Sequence, residues 1–252
     1  MTYSKIPSIR IAGSGKTVIP GYGSLKIAGS GSLGPKELNM KGSSNFPGGL
    51  KVRDLKSSGS INIDGDITVD SVKIRGSIHV HGDLKCKELS KSGSLKVTND
   101  LIANVASVSG STKVSGKGSF EKKLDSKGSI ILDDDLVSGG RIWYSGTMRV
   151  DGKLESKTFD ARLGQDDSNI RDGIKAERIE VRVDKPNNRY NGYLITSDIV
   201  GDDIVLENVI CNNVEGNKVK ILRGCHIKEK VRFRDKVSID PYSKLNREPE
   251  QI

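Results

Sequence analysis

The sequence is poor in the residues that fill large compact cores and membrane spans. Aromatic residues make up 4% of its 252 residues and hydrophobic residues 34%, which disfavours a large compact enzyme. No run approaches the roughly 18 apolar residues that a membrane span needs, and residues 1–10 lack the apolar stretch of a secretory signal. We therefore expect a cytoplasmic protein.

Cysteine is scarcer than the aromatic residues. The three cysteines, Cys86, Cys211 and Cys225, are an odd number and form no CxxC pair. This pattern excludes a disulfide scaffold and fits a reducing compartment.

Basic charge is concentrated at the two ends of the chain. Of the net charge of +9, residues 1–58 carry +7 (nine Lys/Arg, two acids), residues 215–252 carry +4 (ten against six) and residues 59–214 carry −2 (22 against 24). Basic ends attract an anionic membrane or nucleic acid. A solvated lysine-rich surface that keeps a Gly/Ser-rich protein soluble explains the same charge.

What the sequence has in abundance is glycine, with 29 residues, of which nine begin regularly spaced pairs. A Gly-Ser pair or a close equivalent recurs nine times, at spacings of 17–19 residues. Regular internal repeats of this kind indicate a solenoid. The pairs begin at Gly23, Gly42, Gly59, Gly76, Gly93, Gly110, Gly128, Gly146 and Gly164.

Apolar residues recur within each repeat at offsets 2, 4, 8, 10 and 13 from the glycine. Alternation with a period of two indicates short strands with one buried face, separated by Gly-Ser and Gly-Asp steps that permit tight turns. Strands this short are stable only when each stacks on its equivalent in the next repeat. The sequence therefore predicts a parallel β-helix of roughly triangular section with 17–18 residues per coil. The clearest repeats place these residues inward: Ile61, Ile63, Ile67, Val69 and Val72; Ile78, Val80, Leu84, Cys86 and Leu89; Leu95, Val97, Leu101, Ala103 and Ala106.

The repeat divides the chain into four regions. Residues 1–22 are predicted to form an N-terminal segment and first coil, residues 23–164 regular coils, residues 165–240 less regular coils with a loop at 184–192, and residues 241–252 an unstructured tail. A helical fold is disfavoured because the apolar spacing is never a sustained three-four pattern and glycine weakens helices.

The repeat unit resembles that of the bactofilins, also called polymer-forming cytoskeletal proteins. Gly59-Ser-Ile-Asn-Ile-Asp-Gly-Asp-Ile67 and Gly76-Ser-Ile-His-Val-His-Gly-Asp-Leu84 carry the resemblance, and the stretch from Glu215 to Pro241 is similar to the ends of longer prokaryotic members. The resemblance implies an all-β, right-handed parallel β-helix that polymerises end to end, without nucleotide, into cytoplasmic filaments. Such filaments scaffold other components, often at the membrane. The chain is longer than the usual single bactofilin domain.

The residues themselves also indicate assembly by stacking. A β-helix has no lateral edge, but its first and last coils expose unpaired backbone groups and a slice of apolar core. We expect a non-enzymatic homopolymer that scaffolds partner proteins, with no catalytic, cofactor or metal site. The candidate self-association residues are Ile6, Ile9 and Ile11 at one end and Val237 and Ile239 at the other.

A second candidate surface is the aromatic pair Trp143 and Tyr144, which lies just before a Gly-Thr corner. Exposed aromatic side chains at a corner would bind a partner protein or lipid headgroups.

Two other functions stay open. A monomeric or small-oligomer β-helix binding module would hold an anionic membrane or nucleic acid on its basic ends, without a specific nucleic-acid target, and would bind in a salt-dependent way. A hexapeptide-type transferase would depend on His79, His81 or His226, but its strict six-residue repeat does not match the spacing found here. His79 and His81 beside a single carboxylate supply fewer ligands than a structural zinc site usually has. We expect a solvated face there.

Overall fold

The computed structural model describes residues 3–4, 7–34, 36–184 and 191–252. These residues form strands and turns, and the mostly parallel strands stack as a β-solenoid of about 12 turns. The described residues include no helix long and apolar enough to cross a membrane. The chain divides into two compact units, Met1–Ser119 and Phe120–Ile252. The predicted all-β parallel solenoid is confirmed.

The first unit shows the repeat in its most regular form. Ile67 pairs with Leu84 and Leu84 with Leu101, so each coil advances by 17 residues. Its strands are β1 (Ile9–Ile19), β2 (Gly23–Leu33), β3 (Glu37–Pro47), β4 (Leu50–Ser57), β5 (Ser60–Asp64), β6 (Ile67–Val80), β7 (Leu84–Val97) and β8 (Leu101–Val114).

Each regular coil has three strand segments, separated where the alternation of buried and exposed residues is interrupted. We call the segment with offsets 2 and 4 face A, that with offsets 8 and 10 face B, and that with offsets 13 and 15 face C. In one coil the inward residues are Ile61 and Ile63 on face A, Ile67 and Val69 on face B, and Val72 and Ile74 on face C, all buried.

A glycine marks the corner between faces C and A. Gly93 has a φ of +114°, a conformation that residues with a side chain rarely adopt. A Cβ at Gly93 would lie 2.1 Å from the carbonyl oxygen of Gly76, one coil away. Both the positive φ and the close approach of the Gly76 carbonyl oxygen therefore require glycine at this corner.

The corner between faces A and B is held by a ladder of aspartates. The Asp66 carboxylate accepts a hydrogen bond from the Asp83 N–H at 2.8 Å, Asp83 accepts one from the Asp100 N–H at 3.2 Å, and Asp100 accepts one from the Lys117 N–H at 2.8 Å. The pKa of Asp83 is lowered, first by its hydrogen bond from Lys85. The Gly-Asp steps seen in the sequence thus join one coil to the next.

The first strands differ from the predicted coil. β1 runs antiparallel to β2, and β2 runs antiparallel to β3. The expectation that regular coils begin at residue 23 is therefore wrong, because parallel pairing within the solenoid begins at β3, which pairs with β4 and β5.

Coil length varies in the second unit. Leu136 pairs with Leu154, and the pairings continue to Ile174, Ile199 and Val214, so successive coils advance by 18, 20, 25 and 15 residues. The longest coil contains the predicted loop at 184–192, of which residues 185–190 lie outside the described residues. The strands are β9 (Gly118–Leu132), β10 (Leu136–Ser138), β11 (Arg141–Val150), β12 (Leu154–Leu163), β13 (Ser168–Ile170), β14 (Ile174–Val183), β15 (Leu194–Thr196), β16 (Asp198–Leu206), β17 (Val209–Cys211), β18 (Asn213–Ile221), β19 (His226–Ile227), β20 (Val231–Ile239), β21 (Lys244–Leu245) and β22 (Glu250–Gln251).

The last residues continue the solenoid. β21 pairs in parallel with β19, and β22 pairs in parallel with β20. The prediction of an unstructured tail at 241–252 is therefore wrong.

Candidate functional site

Two inward columns of the second unit pass through Ile142 and Tyr144 in β11 and end at the last coil; we also call this side of the second unit face C. Val237 stacks on Val219, and Ile239 stacks on Ile221. Val219 and Ile221 are 2% and 1% exposed, whereas Ile239 is 37% exposed and Val237 is half-buried. The two candidate residues at this end therefore belong to the core columns but lack a coil above them.

The backbone at this end is also open. Lys236–Ile239 pairs with β18 on one side. β22 lies beside β20 only at Arg232 and Phe233, and no other strand of the described residues pairs with that edge. An unpaired strand edge is a template for a strand of another chain.

In the first unit, the inward columns of face C end at β1. Ile9 pairs with Leu33 and Ile11 with Gly31, and both inward residues are half-buried. Among the described strands, β1 pairs only with β2. Ile9 and Ile11 therefore end columns at an open strand edge, while the third candidate, Ile6, lies outside the described residues.

Residues 3 and 4 cover part of face B near this end. The Ser4 N–H donates to the Lys51 carbonyl at 2.8 Å, and the Lys51 N–H donates to the Ser4 hydroxyl at 2.9 Å. The Tyr3 hydroxyl donates to the Asp70 carboxylate, which raises the pKa of Tyr3 and lowers that of Asp70. Faces C and A therefore carry the open edge of β1, whereas residues 3 and 4 cover part of face B.

The aromatic candidates do not form one exposed pair. Tyr144 is 1% exposed, and its ring centroid lies 5.9 Å from that of Phe159. The prediction of exposure is therefore wrong for Tyr144, whose pKa is raised by burial. Trp143 is half-buried, and the Lys127 ammonium lies 5.9 Å from its ring centroid. Only Trp143 is left as a candidate contact for a partner.

The histidines lie on outer surfaces of the coils. The rings of His79 and His81 have centroids 3.8 Å apart, and the pKa of His79 is lowered, first by burial and then by His81. His226 lies in β19 between Ile210 and Lys244. Within the described part of the chain, no group of three or more His, Cys, Asp or Glu side chains is placed to hold a metal ion.

The three cysteines are free and buried. Burial raises the pKa of Cys86 to about 12, and it is also the main reason that the pKa of Cys225 is raised to about 11. Cys86 lies between Val69 and Ala103 in an inward column of face B. The prediction that Cys86 is a small core residue is confirmed.

Lys91 is a buried ionisable residue that the repeat pattern does not predict. It lies between Ile74 and Val108 in the inward offset-15 column of face C. Its side chain is buried, and its ammonium donates to the carbonyl oxygens of Gly93 and Ser111. Burial lowers the pKa of Lys91 to about 8.

Replacing Lys91 with methionine should therefore raise the free energy of unfolding at pH 7 by about 1–2 kcal/mol, because a buried charge is exchanged for an apolar chain of similar length. The folded-state pKa of about 8 lies below the usual value of 10.5, so the wild type gains stability as pH rises through that interval. The gain in unfolding free energy of Lys91→Met over the wild type should therefore shrink as the pH rises from about 8 to 10.5. Urea denaturation at several pH values measures it, and an advantage that is independent of pH would contradict this explanation.

A shallow groove of about 610 Å³ lies on the second unit. Charges of both signs surround it, from Glu155, Lys157, Lys175, Glu177 and Arg234. The groove therefore does not favour a ligand of either charge.

No protein-family model, curated protein or solved structure matches this chain.

Proposed function

We propose that this protein is a non-enzymatic, bactofilin-like cytoskeletal scaffold that assembles end to end in the cytoplasm without nucleotide. A β-solenoid is consistent with such a role, and unpaired edges are where strands of a second copy add. The open face C columns at Ile9 and Ile11 and at Val237 and Ile239 are the observation on which the proposal depends.

The direction of β1 allows the repeat to continue in another copy. Two successive antiparallel pairings bring β1 back to the direction of β3 and of the parallel coils. β1 also keeps the order of a coil, since Gly13 aligns with the corner glycines Gly29 and Gly42. The last coil of a second copy can therefore pair with β1 as one coil pairs with the next.

In this arrangement Val237 of one copy stacks on Ile9 of the next, and Ile239 stacks on Ile11. Complete burial of such a side chain contributes about 1.5–3 kcal/mol, and each new backbone hydrogen bond adds about 1 kcal/mol. The two contacting surfaces differ, so the contact does not close on itself within a pair. Repetition of a heterologous contact that does not close produces a filament.

Negative-stain electron microscopy with light scattering tests assembly directly. We expect filaments at near-physiological salt without added nucleotide. A monodisperse short particle across the accessible concentration range would contradict unaided polymerisation.

Engineered cysteines test the register in the same preparation. Arg10 and Ser238 are exposed neighbours of the stacked residues, and paired strands bring their Cα atoms within the range of a disulfide. Oxidised Arg10→Cys/Ser238→Cys should give a ladder of covalent multimers. Ser14→Cys/Ser238→Cys, about 13 Å out of register, should give none. Covalent dimers of Ser238→Cys alone would instead show that like ends meet.

A further inference from the structure

Face A of the first unit carries an unbroken outward column without an acidic residue. Its order follows from the register of six neighbouring strand pairs, and successive rungs are about 4.8 Å apart, so the column extends about 29 Å. Six of its seven residues are exposed and His79 is half-buried. The column consists of Lys16, Lys26, Asn45, Asn62, His79, Lys96 and Lys113. We call it the lysine column.

Three lysines on other faces of the unit form salt bridges, although Lys51 and Lys73 form none with a described residue. Lys56 pairs with Glu37 at 3.0 Å, Lys85 with Asp83 at 3.0 Å and Lys87 with Asp70 at 3.1 Å. The four lysines of the lysine column form no salt bridge with a described residue. Their positive charge is therefore available to an external anion.

The neighbouring column supplies hydroxyl groups. Ser43, Ser60, Ser77, Ser94 and Ser111 follow one another on the same face, and all are exposed. Hydroxyl groups donate hydrogen bonds to phosphate and carboxylate oxygens. Face A thus combines two ordered arrays, one cationic and one of hydroxyl donors.

An exposed apolar side chain lies at the β1 end of this face. Val18 is 65% exposed and is two residues from Lys16 on the same side of β1. Lysines beside an exposed apolar residue suit a lipid interface, where the cations meet headgroups and the apolar side chain meets the acyl boundary. None of the outward residues named on face A is Phe, Tyr or Trp, and its one aromatic ring, that of His79, already stacks on His81, so face A lacks the large aromatic side chains typical of single-stranded nucleic acid sites.

From this arrangement we infer that face A of the first unit docks on an anionic lipid bilayer, with the lysine column lying along the membrane surface. Each lysine near an anionic surface contributes about 1 kcal/mol, or roughly fivefold in affinity. Four lysines therefore provide a contact that is both strong and dependent on salt. The inference concerns a lateral face and does not depend on assembly at the ends.

Vesicle flotation in a density gradient tests the inference, because filaments pellet and only vesicle-bound protein floats. The full chain should bind vesicles containing about 30% phosphatidylserine at about 0.15 M salt, and should bind phosphatidylcholine vesicles at least about 20-fold more weakly. The variant Lys16→Gln/Lys26→Gln/Lys96→Gln/Lys113→Gln should lose about 100-fold or more in affinity for the anionic vesicles.

A control variant with the same change in net charge tests whether the position of the lysines on face A, and not net charge alone, determines binding. Lys51→Gln/Lys56→Gln/Lys73→Gln/Lys85→Gln alters faces B and C and should lose less than about tenfold. Equal losses in the two variants would overturn the assignment to face A. Tighter binding of the wild type to a short DNA duplex than to the vesicles, at the same salt, would overturn the lipid assignment. Circular dichroism verifies that both lysine variants are folded. Ile239→Asp should bind vesicles with unchanged intrinsic affinity, because it changes the last coil and not face A.

Discussion

Replacing Gly93 with alanine should lower the free energy of unfolding by about 3 kcal/mol or more. The φ of +114° at Gly93 is strained for alanine, and the added Cβ would lie 2.1 Å from the Gly76 carbonyl oxygen. Gly93 pairs with Gly76 on one side and with Gly110 on the other. Relief of the clash would therefore move backbone that is hydrogen-bonded in two directions. Urea denaturation followed by circular dichroism measures the loss.

Gly13→Ala is the matched control for backbone strain without a clash. Gly13 has a φ of +96°, and a Cβ added there would meet no heavy atom of the described residues within 4 Å, because Gly13 lies in β1 at the open edge. We expect Gly13→Ala to cost about 1 kcal/mol. Equal losses at Gly13 and Gly93 would show that contact between stacked coils is not what requires glycine at the corner.

The interior of the regular coils could be predicted from the sequence because the two-residue period assigns each side chain to one side of a strand. Ile61, Ile63 and Ile67 are buried as predicted. Near-constant spacing of the Gly-Ser pairs then indicated the register, since equal coil lengths place equivalent residues over one another. The 17-residue register from Ile67 to Leu84 is the direct result.

The second column of face C was not predictable from the same pattern, because polar residues interrupt it. Ser57 and Lys91 lie in the column with Ile74 and Val108. Offset 15 therefore shows no consistent apolar residue in the sequence. Tyr144 occupies the corresponding inward position in the second unit, where it pairs with Ser126. Ser126 on one side gave no apolar signal, although Ala161 on the other side is apolar and buried. The column was therefore too irregular in the sequence to predict that Tyr144 is buried.

The sequence pattern also could not predict the direction of the strands. Gly23-Ser24 begins a segment with the same alternation as the later coils, and alternation is identical in parallel and antiparallel strands. Only the pairing of β2 with β3 distinguishes the two directions. At the other end, β21 and β22 contain two residues each, too few to show a period. The two ends, where we place the assembly contacts, are thus the parts in which the repeat is least informative.

Aspartate at position 239 should remove end-to-end assembly while the chain remains folded. Ile239 is 37% exposed on the last coil, so a carboxylate there is hydrated in the single copy. In the proposed filament the same carboxylate would be buried against Ile11 without a positive partner, which costs several kcal/mol. Since each 1.4 kcal/mol is a factor of ten in association, we expect the sedimentable fraction of Ile239→Asp to fall by at least about tenfold.

Ser238→Asp provides the matched control, because it introduces the same charge one residue away on the exposed side of β20. Its carboxylate would stay hydrated when Val237 and Ile239 are covered, so assembly should be close to that of the wild type. Loss of filaments in both variants would indicate that added negative charge at this end, rather than burial of the face C column, prevents assembly. Filaments of Ile239→Asp would show that the column at Ile239 is not a contact. We expect Ser238→Asp to retain filaments and Ile239→Asp to lose them only if the core columns continue from one copy to the next.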